Sequence, residues 1–175
     1  MDTTLKGVEI DKIVQMTREI SFKQKSENPP KQIKIVEKTS SNSDILYTEM
    51  NMPFPLANRE FLQKRLFVGN KEDPELIRRL GLFDWEHRYY AILVQSTEKR
   101  EYRRKSKPVR GMTKMFHMLL EEDPEDKTIV KIKFLICQNL YLNLHQVAMK
   151  AIEEDLGQTI VIGLLDTYEQ FFGKS

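Results

Sequence analysis

Tyr47-Thr48-Glu49-Met50-Asn51-Met52-Pro53-Phe54-Pro55-Leu56-Ala57-Asn58-Arg59-Glu60-Phe61 is the stretch on which the fold turns. It begins inside a strand, Ile45 to Met52, that stops where Pro53 and Pro55 have no N–H to give a ladder. It ends in another strand, Arg59 to Val68. Upstream, Gln32 to Glu37 reads as a strand and Thr39 to Ser43 as a polar turn. Three strands at this spacing pair antiparallel. Lys23 to Lys31 is polar, carries Pro29-Pro30 and reads as a connector. Before it, Ile10, Ile13, Val14, Thr17 and Ile20 recur at helical spacing, which predicts a helix over Asp11 to Ser21 with Asp11 as its N-cap.

Downstream, Asp73-Pro74-Glu75 with Leu76, Ile77, Leu80 and Gly81 predicts a short capped helix. Tyr89 to Thr97 is a fourth strand, with Tyr90, Ile92 and Val94 on one face and Tyr89, Ala91 and Leu93 on the other, so both faces are covered. Val109 to Leu120 is a fifth. Thr128 to Gln138 is a sixth, with Val130, Ile132, Phe134 and Ile136 opposite Lys131 and Lys133. From Asn143 a helical stripe runs through Leu144, Val147, Ala151, Ile152, Leu156, Ile160, Leu164 and Tyr168 to Phe172. One helix of that length spans roughly 45 Å, and Gly157 is its weakest point. Strands followed by one long helix predict an α+β domain, the helix buried against a curved antiparallel sheet with room for a cavity between them.

The 175 residues fit a single domain, 1–175, and 40% apolar content supplies a core. The net charge of +2 gives no electrostatic case for nucleic acid. It is uneven: Lys99, Arg100, Arg103, Arg104, Lys105, Lys107 and Arg110 with Glu101 make +6 within twelve residues. Such a run reads as a solvated loop or as a weak dock on an anionic membrane, with Tyr102 at the interface. Glu121, Glu122, Asp123, Glu125 and Asp126 form an acidic turn. A lone cysteine, Cys137, excludes an intramolecular disulfide and a Cys-based zinc site, and reads as an inert, partly buried thiol. His87, His117 and His145 have no ligand spacing, so no metal is expected. No apolar run approaches the roughly 20 residues of a membrane span, and no signal-peptide h-region is visible. The expected setting is cytoplasmic and reduced.

Asn28-Pro29-Pro30-Lys31-Gln32-Ile33-Lys34-Ile35-Val36-Glu37 resembles the lead into the fourth strand of START domains, the lipid-transfer domains related to the steroidogenic acute regulatory protein. Tyr47 to Phe61 resembles that family's Pro-rich Ω-loop and Arg-Asp-Phe signature, with Glu60 in place of Asp. Pro108-Val109-Arg110-Gly111 is similar to its Val-Arg-Gly strand start. The order and spacing of all three agree, and the resemblance covers about Leu5 to Thr128. It implies a helix-grip fold, a curved antiparallel sheet wrapped around the C-terminal helix, with one lipid in the tunnel between them and the Ω-loop and helix as a lid. Most members of that family have no catalytic activity, so none is expected here, and no cofactor is expected. The family's opening helix and two strands have no counterpart, and the chain is expected to start near the strand before the first internal helix, at Lys6 to Ile10. The family's Trp before the Asn-Pro segment and its Gly-Gly-x-x-Pro before the last helix are absent.

By that resemblance Arg59 is the pocket arginine that holds a headgroup, its planar fork suited to phosphate or carboxylate. Gln32 stands where cholesterol-type members carry an acidic partner for it, and Glu49 is a second candidate partner. Met50, Phe61, Met112 and Phe116 are expected to line the tunnel, methionine adapting to irregular apolar ligands. Phe54 and Leu56 are expected at the lid tip, in transient membrane contact. Phe83 and Trp85 read as a packed loop or a further lipid contact. The expected function is to bind one lipid and carry it between membranes. Two alternatives stand beside it: a shortened interaction module without ligand, whose open edge pairs with a partner, and a small-molecule enzyme of the wider helix-grip superfamily.

Overall fold

A computed structural model describes residues 2–26, 28–52, 54, 56–79, 87–102, 107–141 and 160–173. The strands are β1 (Asp2–Lys6), β2 (Gln32–Ser40), β3 (Ser43–Met50), β4 (Arg59–Gly69), β5 (Tyr89–Ser96), β6 (Val109–Arg110), β7 (Met112–Glu122) and β8 (Ile129–Asn139). The helices are α1 (Ile10–Arg18), α2 (Ile20–Gln24), α3 (Pro74–Arg79) and α4 over 160–172. One sheet runs in the order β1-β8-β7-β5-β4-β3-β2, every neighbour antiparallel. The expected pairing of the three strands around the Tyr47–Phe61 stretch holds. Bulges in β2 and β7 break the register and bend the sheet.

Each strand sorts its residues by parity. Phe67, Tyr90, Ile92, Val94, Met118, Leu120, Val130, Ile132 and Phe134 make the main core on the face that α1 and α4 cover. Ile10, Ile13 and Val14 meet it from α1, Val161 and Tyr168 from α4. On the opposite face, Ile45, Tyr47 and Leu62 pack with Val36 and Tyr102, and α3 sends Ile77 against Val68 and Tyr89. β5 is therefore covered on both sides, as its alternation requires. The result is a helix-grip α+β fold.

Four expectations change. The first strand is Asp2–Lys6, earlier than Lys6 to Ile10: it pairs with β8, and Gly7, at φ 72°, turns the chain into α1. The first helix is two, because Glu19 is extended and breaks it after Arg18. Asp11 is not the N-cap. Glu9 holds that position with no side-chain cap, and its N–H is satisfied by the Tyr168 hydroxyl of α4 at 3.1 Å. Asp11 instead accepts both Arg88 nitrogens, at 2.8 and 2.6 Å. The Val109 to Leu120 strand splits at Gly111, since β6 leaves β7 to pair in parallel with the start of β4, where the β5 ladder has ended at Gln63. The expected helix from Asn143 falls partly outside the described residues, as do Leu80, Gly81, Phe83, Trp85, His145 and Gly157.

Candidate functional site

β3 and β4 meet β2 at one end of the helix-covered face, and there the packing is incomplete. Leu46, Thr48 and Met50 of β3 point the same way as Phe61, Gln63 and Arg65 of β4, because a strand repeats every two residues. With Ile33, Val94, Phe116, Gln138 and Leu140 from neighbouring strands, and Lys23, Ser26, Asn28, Pro29 and Pro30 from the end of α2 and its connector, they enclose a cavity of about 660 Å³. That lies within the roughly 300–1,000 Å³ of pockets that hold a small organic ligand. The wall is mainly apolar, with a few amides and hydroxyls, and contains no carboxylate among the described residues.

Of the residues the sequence nominates, Met50, Phe61 and Phe116 line this cavity. Gln32 and Glu49 do not. They are partners across the β2–β3 ladder, one residue out of step with Ile33 and Thr48, and so face away from it. Glu49 accepts Lys31 Nζ at 2.8 Å and Asn58 Nδ2 at 3.0 Å, and these bonds, Lys31 first, hold its carboxyl below the usual range. Met112 lies by a shallow outer pocket with Leu62 and Arg110. Of the other methionines, Met118 is core. Of the two residues expected at the lid tip, Phe54 is 97% exposed and Leu56 half-buried. Cys137 is exposed, contrary to the partly buried thiol expected, because it faces away from the side that Ile136 packs on.

Arg59 is 4% exposed and stands at the rim, absent from the cavity wall. Its Nε donates to the Leu140 carbonyl at 2.6 Å, and its terminal nitrogens donate to the carbonyls of Ala57, Asn58 and Tyr141. The fork thus joins the end of the 51–58 loop to the segment leaving β8. The next residue closes the other face: Glu60 accepts Arg110 Nε at 2.9 Å and the Tyr47 hydroxyl at 3.0 Å. That places the two motif segments side by side, Arg59 against Val109 and Glu60 against Arg110. Gly111 follows because a Cβ there would lie 2.6 Å from Cζ of Phe61.

Two charged groups, Arg65 and Lys23, line the cavity, and the sequence singled out neither. Arg65 holds Asp44 bidentately, 2.7 Å at each contact, and donates to the carbonyls of Thr17 and Arg18 at the end of α1. Arg65 and Arg18 stack near the Phe67 ring, at 5.0 and 5.1 Å. The same parity that puts Arg59 on this face puts Phe61, Gln63 and Arg65 there, so alternation alone carries the signal. Lys23 carries no such signal, since it sits at the end of a helix that the pattern runs together with α1.

Lys23 lines the cavity and is exposed to solvent. Desolvation first, then the Arg65 charge, pull its pKa down to about 8, against a smaller upward pull from Asp44. Between about pH 8 and 10.5 the unfolded chain therefore binds more protons here than the folded one, and this lysine's cost to stability fades as pH rises. Because Lys23 is exposed, solvent screens much of this cost, and Lys23→Met is expected to raise the melting temperature only slightly at pH 7, with the gain gone by pH 11. Thermal melts across that range check it, and a gain that does not change with pH contradicts it.

No family model matches the sequence, and no curated protein matches it. Solved structures do match in fold. Human STARD10 superposes with a TM-score of 0.76 at 15% identity, over 96% of this chain and 62% of that one. Human StAR-related lipid transfer protein 5 gives 0.76 at 12% identity, over 97% and 74%. A STAR-related lipid transfer protein from Xanthomonas axonopodis gives 0.60 at 12%, over 93% and 80%. The chain thus spans less than two thirds of the STARD10 domain. The START-like fold implied by the three motif segments is the fold of this chain.

Proposed function

We propose that this chain binds one lipid in the cavity between the β2–β3–β4 end of its sheet and the connector after α2, and carries it between membranes. The observation that supports this most is the cavity itself, a mainly apolar space left where a packed core would otherwise continue. Burying a tail against Leu46, Phe61, Val94 and Phe116 supplies about 25 cal/mol per Å² of apolar area. Entry follows movement of the 51–58 loop and the segment after β8, the two pieces that Arg59 ties together. Arg59 is then a rim clamp. Phe54, at the tip of that loop, is the apolar side chain placed to touch a bilayer. The setting is the cytoplasm, at membrane surfaces, and no residue is asked to do chemistry. Among the described residues no helix is long and apolar enough to cross a membrane, and no group of three metal-ligating side chains occurs.

Gly111→Ala tests the cavity without touching its charges. The new methyl displaces the Phe61 ring, which has empty space beside it, so the ring moves into the ligand's volume. Displacement of a fluorescent lipid is expected to show roughly tenfold weaker binding, equivalent to about 1.4 kcal/mol, with little change in melting temperature. Unchanged binding in a folded variant counts against the cavity as the site.

A further inference from the structure

We propose that the ligand of this cavity is an amphiphile with an oxyanion headgroup, a carboxylate or a phosphate, and that Lys23 is the residue that holds it. This rests on the lipid-binding reading above and specifies its headgroup.

The argument is an inventory of charge around the cavity. Three cations stand at or near it. Arg59 donates to four backbone carbonyls at the rim. Arg65 has each nitrogen engaged, its carboxylate partner bidentate and its other bonds made to the end of α1. Both guanidinium groups are thus largely committed to protein acceptors, with one N–H each, on Arg59 Nη2 and Arg65 Nη1, not so used among the described residues. Lys23 lines the same cavity and, among the described residues, has no carboxylate within salt-bridge reach and no side-chain hydrogen bond. Arg65 and Asp44 cancel, so the described wall carries one uncompensated positive charge. Lys23 is exposed, so water solvates its ammonium when no ligand is bound, and an oxyanion ligand would supply a counter-charge at the edge of a mainly apolar wall. Crowding by protein and the Arg65 charge pull its pKa down, and a bound oxyanion would oppose that shift. The surroundings fit the same headgroup. Ser26, Asn28 and Thr48 line the cavity with Lys23, while Leu46, Phe61, Val94 and Phe116 are left for the chain. A neutral headgroup would leave the ammonium unpaired, and a cationic one would face it directly.

The test is competition against a fluorescent fatty acid, using the full chain, with palmitate, lysophosphatidate, hexadecanol and inorganic phosphate as competitors. Palmitate or lysophosphatidate is expected to compete at least tenfold better than hexadecanol. Lys23→Met is expected to abolish that preference while hexadecanol binding is retained, and Lys23→Arg to restore most of it. Retained hexadecanol binding shows that the Met variant is folded. Which acid competes better separates a carboxylate from a phosphate headgroup. Competition by inorganic phosphate alone would assign the site to free phosphate and overturn the lipid headgroup. Equal binding of acids and alcohol, or no effect of Lys23→Met, overturns the role of Lys23 and leaves the lipid cavity standing. No binding of the probe or of hexadecanol overturns the lipid reading itself.

Discussion

Asp44→Ala is expected to destabilise the fold by about 3–5 kcal/mol, the loss typical when one partner of a buried ion pair is removed. The pair is well enclosed, with side-chain exposures of 4% for Arg65 and 10% for Asp44. Without Asp44 the guanidinium keeps its bonds to Thr17 and Arg18 but has no counter-charge. It also holds the C-terminal end of α1 to β4, so the damage extends to the helix that covers the core. The double variant Asp44→Leu/Arg65→Met removes both charges, and paired replacement of this kind is often neutral or stabilising. Urea denaturation of the single and double variants measures the coupling. A single variant as stable as the parent would mean that water already reaches Arg65 and the pair is not a closed one.

Glu60→Ala is the second large effect, also about 3–5 kcal/mol. Glu60 and Arg110 face each other across the parallel β4–β6 pairing, with side-chain exposures of 5% and 6%. Among the described residues Arg110 Nη1 has no partner, so the arginine leans on this carboxylate. The Tyr47 hydroxyl loses its acceptor as well. Its pKa, now held above the usual phenol value by burial first and by Glu60 second, is expected to fall by the Glu60 share. Glu60→Gln keeps the shape and removes the charge, so it is expected to cost less than Ala but more than a surface substitution. Equilibrium unfolding decides it. A loss below about 1 kcal/mol for Glu60→Ala, the range of exposed pairs, would contradict a buried role.

These two pairs show what the sequence carries and what it does not. Motif order around Tyr47–Phe61 was enough for the fold, because the two prolines, the alternation after Arg59 and the spacing of Arg110 and Gly111 are local signals. What joins those segments in this chain is visible only in space: Glu60 faces Arg110, and Gly111 makes room for Phe61. The apolar cavity residues Met50, Phe61 and Phe116 were legible for the same reason. The polar site was not. Arg59 drew attention as the motif arginine, yet its position at the first residue of β4 spends it on backbone carbonyls. Gln32 and Glu49, nominated from the family resemblance as partners of Arg59, each sit one position from a residue that lines the cavity, and one position along a strand reverses the face. Arg65 follows from parity once Phe61 is known to face inward. Lys23 depends on the break at Glu19, which turns α2 toward the cavity, and no propensity signal marks that break.

Native mass spectrometry of the purified protein, with lipid extraction of the same sample, tests the central claim most directly. The account predicts a one-to-one adduct of lipid mass whose extracted species carries an acidic headgroup. A bare polypeptide mass, even after incubation with mixed liposomes, would contradict it and favour the interaction module.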